Sequence, residues 1–107
     1  MPITRKFRTT ILNRAASDAG FRRQMLTEAV NELLAGDLEA GKAMLRDYIN
    51  GTIGFEELGD RTQTPAKSLM RMFGPSGNPQ ARNLLEVINH LQKAEGLHFE
   101  VSLRAAS

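Results

Sequence analysis

GFEELGDRTQTPAKSLMRMFGPSGNPQAR, residues 54–82, divides into a short helix, a tight turn, a second short helix and a loop. Phe55 and Leu58 mark the inward face of the first helix, over 55–62. Thr64 is placed to cap the second, with Pro65 at its first position, where a missing N–H costs nothing. That helix covers about 65–73, with Leu69, Met72 and Phe73 inward. Two helices that cross closely need a small residue at the crossing, and Gly59 supplies it. The turn Arg61-Thr62-Gln63-Thr64 has the length of a helix-turn-helix, although Gln63 stands where Gly is common. Thr62 stands where an apolar side chain would pack better. The outward face of the second helix is then Pro65, Ala66, Lys67, Ser68, Met70 and Arg71. Residues 61–85 carry Arg61, Lys67, Arg71 and Arg82 and no acidic residue. A compact helix pair with such a face is what a major-groove DNA reader needs. The plainer alternative is an αα-hairpin in a helical bundle.

Charge is segregated along the rest of the chain. Residues 1–27 carry six basic and one acidic residue, and 28–60 carry two basic and eight acidic. The basic blocks suit phosphate, and the acidic block suits solvent or a basic protein partner. The 107 residues suffice for one domain with a modest core. Without Cys there is no disulfide, thiolate zinc site or thiol catalysis, which fits a reducing cytoplasm. No secretory signal or membrane span is expected.

Helical periodicity extends outward from the central stretch. Phe7, Ile11 and Ala15 share i, i+4 spacing, which fits either a helix from about Phe7 or a flexible basic arm. Ser17 or Asp18 caps a helix with Phe21, Met25, Leu26, Ala29, Val30, Leu33 and Leu34 inward, ended by Gly36. Asp37 caps the next, with Leu38, Met44, Leu45, Tyr48 and Ile49 inward and Asn50-Gly51 as its stop. After the Gly74–Pro79 loop, a last helix carries Leu84, Leu85, Ile88 and Leu91 to Gly96. Leu97, Phe99, Val101 and Leu103 alternate with polar residues, a strand signal that needs a partner such as a second copy. The expected fold is all-α, about five helices with a short C-terminal strand. Its expected parts are a basic arm and first helix (1–36), a helix-turn-helix core (37–96) and a tail (97–107).

The run LRDYINGTIGFEELGDRTQTPAKSLMRMFGPSGNPQARNLLEVINHLQ resembles lambda-repressor-like (XRE-type) helix-turn-helix proteins. More closely, it is similar to the HigA-like antidotes of bacterial toxin–antitoxin modules. The likeness covers roughly residues 37–103, and its most telling part is SLMRMFGPSGNPQARNLLEVINHL. It implies a homodimer on a palindromic operator that represses its own module, and a RelE/HigB-like ribonuclease toxin as partner. Within that reading Lys67 and Arg71, at i, i+4, reach one groove, and Arg is the usual reader of a guanine edge. Thr64, Pro65, Ala66 and Ser68 lie at the start of the same helix, the short side chains able to approach bases. Ser76, Asn78 and Arg82 suit backbone contacts, which position without specifying.

Other patterns carry less. Residues 36–42 match GxxxxGK, but Ala43 replaces the Ser or Thr that binds Mg²⁺, and Asp37 and Glu39 would repel phosphate. His90 and His98 lack further ligands, so no metal or other cofactor is expected. No residue constellation indicates an enzyme. The rival functional reading is a protein–protein module that neutralises a basic toxin through the acidic block without significant DNA binding.

Overall fold

The computed structural model describes residues 5–106. It is all-helical, with α1 (Arg5–Ser17), α2 (Ala19–Leu34), α3 (Leu38–Gly51), α4 (Phe55–Thr62), α5 (Ala66–Met72) and α6 (Ala81–Glu95). The N-terminal segment from Arg5 is therefore a helix rather than a loose arm, and it packs on α3, with Ala15 against Gly51. Gly51 is the last residue of α3, which stops where Asn50-Gly51 placed its end; Thr52 caps the helix and Gly54, at φ 81°, turns the chain into α4.

Two aspartates begin helices as expected. Asp18 accepts the N–H of Phe21 (3.1 Å) at the start of α2, and Asp37 accepts that of Ala40 (3.0 Å) at the start of α3. The Phe21 N–H holds the Asp18 carboxyl below its ordinary value. That contribution is present above the ordinary carboxylate pKa and is lost as pH falls through the lowered one.

One core runs through the molecule. It joins Ala15 of α1, Met25, Leu26 and Ala29 of α2, and Leu45, Tyr48 and Ile49 of α3 to Phe55 and Leu58. Leu69, Phe73, Val87, Ile88 and Leu91 complete it, and the rings of Phe55 and Phe73 lie 6.2 Å apart. Two expected core residues face solvent instead: Leu34 is 67% exposed and Leu85 is 63% exposed. On α6 the inward stripe is Leu84, Val87, Ile88 and Leu91, the i, i+3, i+4, i+7 set of a helix face, so Val87 takes the place assigned to Leu85.

A charged knot joins α1, α2 and α6. Arg22 bonds Glu95 (2.5 Å) and the Ala15 carbonyl (3.1 Å), tying α1 and α2 to the end of α6. Burial, with Glu95 beside it, pushes the Tyr48 phenol above its usual pKa, so it stays protonated.

The expected strand does not form. Residues 97–106 are irregular, and no strand pairs with them among the described residues. Leu97 and Phe99 are half-buried, and the Phe99 N–H donates to Gln92 Oε1 (2.7 Å). Alternation alone creates no ladder, because each strand needs a neighbour to take its backbone bonds. No helix among the described residues is long and apolar enough to cross a membrane.

Candidate nucleic-acid interface

The α4–α5 pair is set by backbone contact. A Cβ on Gly59 would stand 2.6 Å from the Thr64 carbonyl oxygen and 3.3 Å from the Ala66 nitrogen. Any larger residue would therefore wedge the helices apart. Gln63 adopts the left-handed conformation (φ 55°, ψ 40°) that ends α4, so the position where Gly is common does carry the strained backbone. The Thr64 N–H closes the turn onto the Gly59 carbonyl (2.9 Å). Thr62 satisfies its hydroxyl by donating to the Leu58 carbonyl (2.8 Å).

Thr64 does not cap α5. Its hydroxyl donates to the Thr62 carbonyl (3.3 Å), and the helix begins after Pro65 with no side-chain cap. The Pro65 carbonyl instead accepts from Ser68 and Leu69 (2.9 and 3.1 Å). Pro65 thus precedes the first helical residue rather than occupying it. From this start Leu69 points into the core, while Lys67, Met70 and Arg71 are exposed and Ala66 and Ser68 are half-buried.

Five of the nine sequence-assigned residues meet in one groove of about 440 Å³ between α5, the 74–78 loop and α6. They are Thr64, Ser68, Arg71, Ser76 and Asn78. Lys67 stands outside the groove on the outer face of α5, and Arg82 is exposed near the start of α6. Pro65 is exposed beside them, and Ala66 packs partly against the core. Lys67, Arg71 and Arg82 make no ion pair among the described residues, whereas Arg61 pairs with Glu57 (3.7 Å). The basic face is therefore three free cations rather than four. Glu86 also lines the groove, which sets a negative boundary on its α6 side.

The residues that hold this face in shape were not visible as such in the sequence. Lys42 of α3 is only 1% exposed. Its ammonium donates to the carbonyls of Gly74 (2.9 Å) and Gly77 (2.6 Å) and pairs with Glu39 (3.0 Å). Three protons thus meet three acceptors, which is what makes a buried cation tolerable. One turn on, Arg46 donates to the Phe73 carbonyl (3.0 Å). Together they bind the carbonyls at the end of α5, where cations are favoured, and draw the loop against it. Gly77 lies so close to the Arg71 and Met72 carbonyls that a Cβ there would overlap both oxygens. The lysine of the GxxxxGK pattern is thus a clamp inside the protein. Its signal was a charge at an inward position of α3, at i, i+3, i+7 with Leu45 and Ile49.

His90 is half-buried on α6 and His98 is exposed in the tail. Comparison with known proteins adds no constraint: no family model, curated protein or solved structure matches the chain.

Proposed function

We propose that the protein is a sequence-specific DNA-binding repressor, a homodimer that presents α5 to the major groove. The observation that carries this reading is the unpaired Lys67 and Arg71 on the outer face of a helix clamped at its far end by Lys42 and Arg46. A reader of base edges must hold its side chains in fixed positions, and the clamp fixes those of α5. Arg71 reads a base edge, Lys67 supports it or a phosphate, and Ser76, Asn78 and Arg82 engage the backbone. Two copies one DNA turn apart, about 34 Å, would match a two-fold operator. The resemblance to HigA-like antidotes extends the proposal to autoregulation of a toxin–antitoxin module with a RelE/HigB-like partner.

The test is binding of the purified protein to its own promoter and to scrambled DNA across a salt series. Tight, sequence-dependent binding with a steep salt slope is expected. Equal, weak binding to both would overturn the reading.

A second reading draws on the acidic side. Glu56, Glu57 and Asp60 of α4 are all exposed, as are Glu28, Asp37 and Glu39. These carboxylates suit a basic protein partner, and such docking would favour a neutralising module. Binding to a basic toxin, with no DNA affinity at low salt, would establish this reading in place of the first.

A further inference from the structure

The segment after α6 is the most exposed apolar part of the described chain. Gly96 ends α6 in the left-handed conformation, and the Leu97 N–H returns to the Gln92 carbonyl (2.8 Å). Leu97 and Phe99 then dock, but Val101 is 74% and Leu103 is 96% exposed. Val101 shares a shallow groove with Val30 and Leu34 of α2, and Leu34 is itself exposed. No backbone hydrogen bond ties residues 98–106 to another segment through a ladder among the described residues. The Phe99 N–H donates to the Gln92 side chain, and beyond it the alternating segment has an open backbone, which is a template for another strand.

The sequence of this segment is complementary to itself in one register. Antiparallel pairing centred on Ser102 sets Glu100 opposite Arg104 of the second copy, and Arg104 opposite its Glu100. On the other face the same register sets Val101 opposite Leu103, again twice. Moving the centre to Val101 would set Glu100 against Ser102 and leave both charges without an opposite partner. Parallel pairing in register would set Glu100 against Glu100. Directly opposed residues are the unit of sheet stability, so charge selects the first arrangement. We propose that residues 98–106 of two copies pair as an antiparallel ribbon centred on Ser102, and that this ribbon is the dimer interface. The ribbon supplies the partner that the alternation requires, and its apolar face adds to the surface beside Leu34. The proposal rests on the dimeric reading of function only in that a two-fold operator needs two copies.

Sedimentation equilibrium of the full chain without DNA tests it. The unsubstituted protein should be a dimer. Glu100→Arg and Arg104→Glu, each at an exposed position, should each weaken dimerisation about tenfold, because each opposes like charges twice. Mixing the two single variants should restore association as a heterodimer, since every new arginine then faces a glutamate. The double variant should likewise self-associate. A monomeric protein at high micromolar concentration would overturn the ribbon, as would a dimer indifferent to both single substitutions. Promoter binding is measured separately. A charge-sensitive dimer that ignores DNA sequence would sustain the ribbon and sink the DNA reading. Sequence-specific binding by a dimer indifferent to the charge swaps would do the reverse.

Discussion

The chain leaves α5 through a loop and α6 through the tail, and the two exits are held very differently. After α5 the carbonyls of Phe73, Gly74 and Gly77 all accept from cations of α3, and Gly77 sits where no side chain fits. After α6 the tail is held by one side-chain hydrogen bond, from the Phe99 N–H to Gln92, and by two half-buried apolar residues. The first exit is fixed by groups within the same chain. The second leaves Val101 and Leu103 outward, with no partner for the backbone around them among the described residues. A loop that must present side chains to a ligand needs the first kind of support, and a segment that pairs with a second copy needs the second.

The largest expected effect tests that contrast directly. Lys42→Met keeps the volume but removes three charge-assisted contacts, leaving the Gly74 and Gly77 carbonyls without their donor and Glu39 without its cation. It should cost about 3 kcal/mol in urea unfolding. Truncation after Ser102 removes residues 103–106, all exposed, together with Ser107, which lies outside the described residues, and should change unfolding by no more than about 0.5 kcal/mol, measured dilute enough to exclude association. Similar losses from both variants would erase the difference between the two exits.

Next comes the face that the clamp supports. Arg71 is exposed and makes no ion pair among the described residues, so Arg71→Ala should leave unfolding nearly unchanged while costing about 1–3 kcal/mol of operator affinity. It should also relax preference at one operator position. If both affinity and preference survive, α5 is held rigidly for some purpose other than base reading.

The starts of α2 and α3 and the close crossing were legible in the sequence because each depends on one or two neighbouring residues, whereas the start of α5 was not. Asp18 and Asp37 bond the N–H three residues on, and Gly59 is required by chain within a few residues of it. The clamp was not legible, because the partners of Lys42 lie 32 and 35 residues away and only the folded chain brings them together. On α6 two adjacent apolar stripes were available, and packing chose the one with Val87 over the one with Leu85. The tail misled for a different reason. Its alternation is real, but strand formation needs a second strand, and none is present among the described residues of one copy. Of the candidate site, the outward Lys67 and Arg71 follow from helical spacing; the groove that unites Arg71 with Ser76 and Asn78 follows from the loop's position against α5.

Gln63 offers a gain rather than a loss. A residue with a Cβ in the left-handed conformation bears a steric cost that glycine avoids, and glycine's greater freedom in the unfolded chain offsets part of the benefit. Gln63→Gly should stabilise the protein by about 0.5–1 kcal/mol, seen as a raised urea midpoint with an unchanged slope. Destabilisation would mean that the exposed Gln63 side chain makes a contribution larger than its strain.

The smallest effect separates the structure from the sequence pattern most sharply. Read as a cap, Thr64 would lose about 1 kcal/mol on replacement by alanine. Its hydroxyl instead donates to the Thr62 carbonyl across a 3.3 Å contact within the turn, and no N–H of α5 depends on it. A neutral, half-exposed bond of that length contributes little, because water replaces it readily when the hydroxyl is removed. Thr64→Ala should therefore cost only about 0.3 kcal/mol in unfolding. Because Thr64 also lines the groove beside Arg71, the same variant should still change DNA affinity measurably if that groove meets the operator. A full cap-sized loss of stability would show that the start of α5 in solution is held by Thr64 after all, and would shift the helix start back by one residue. A small loss of stability with unchanged affinity would place the operator on the Lys67 side of α5, away from the groove.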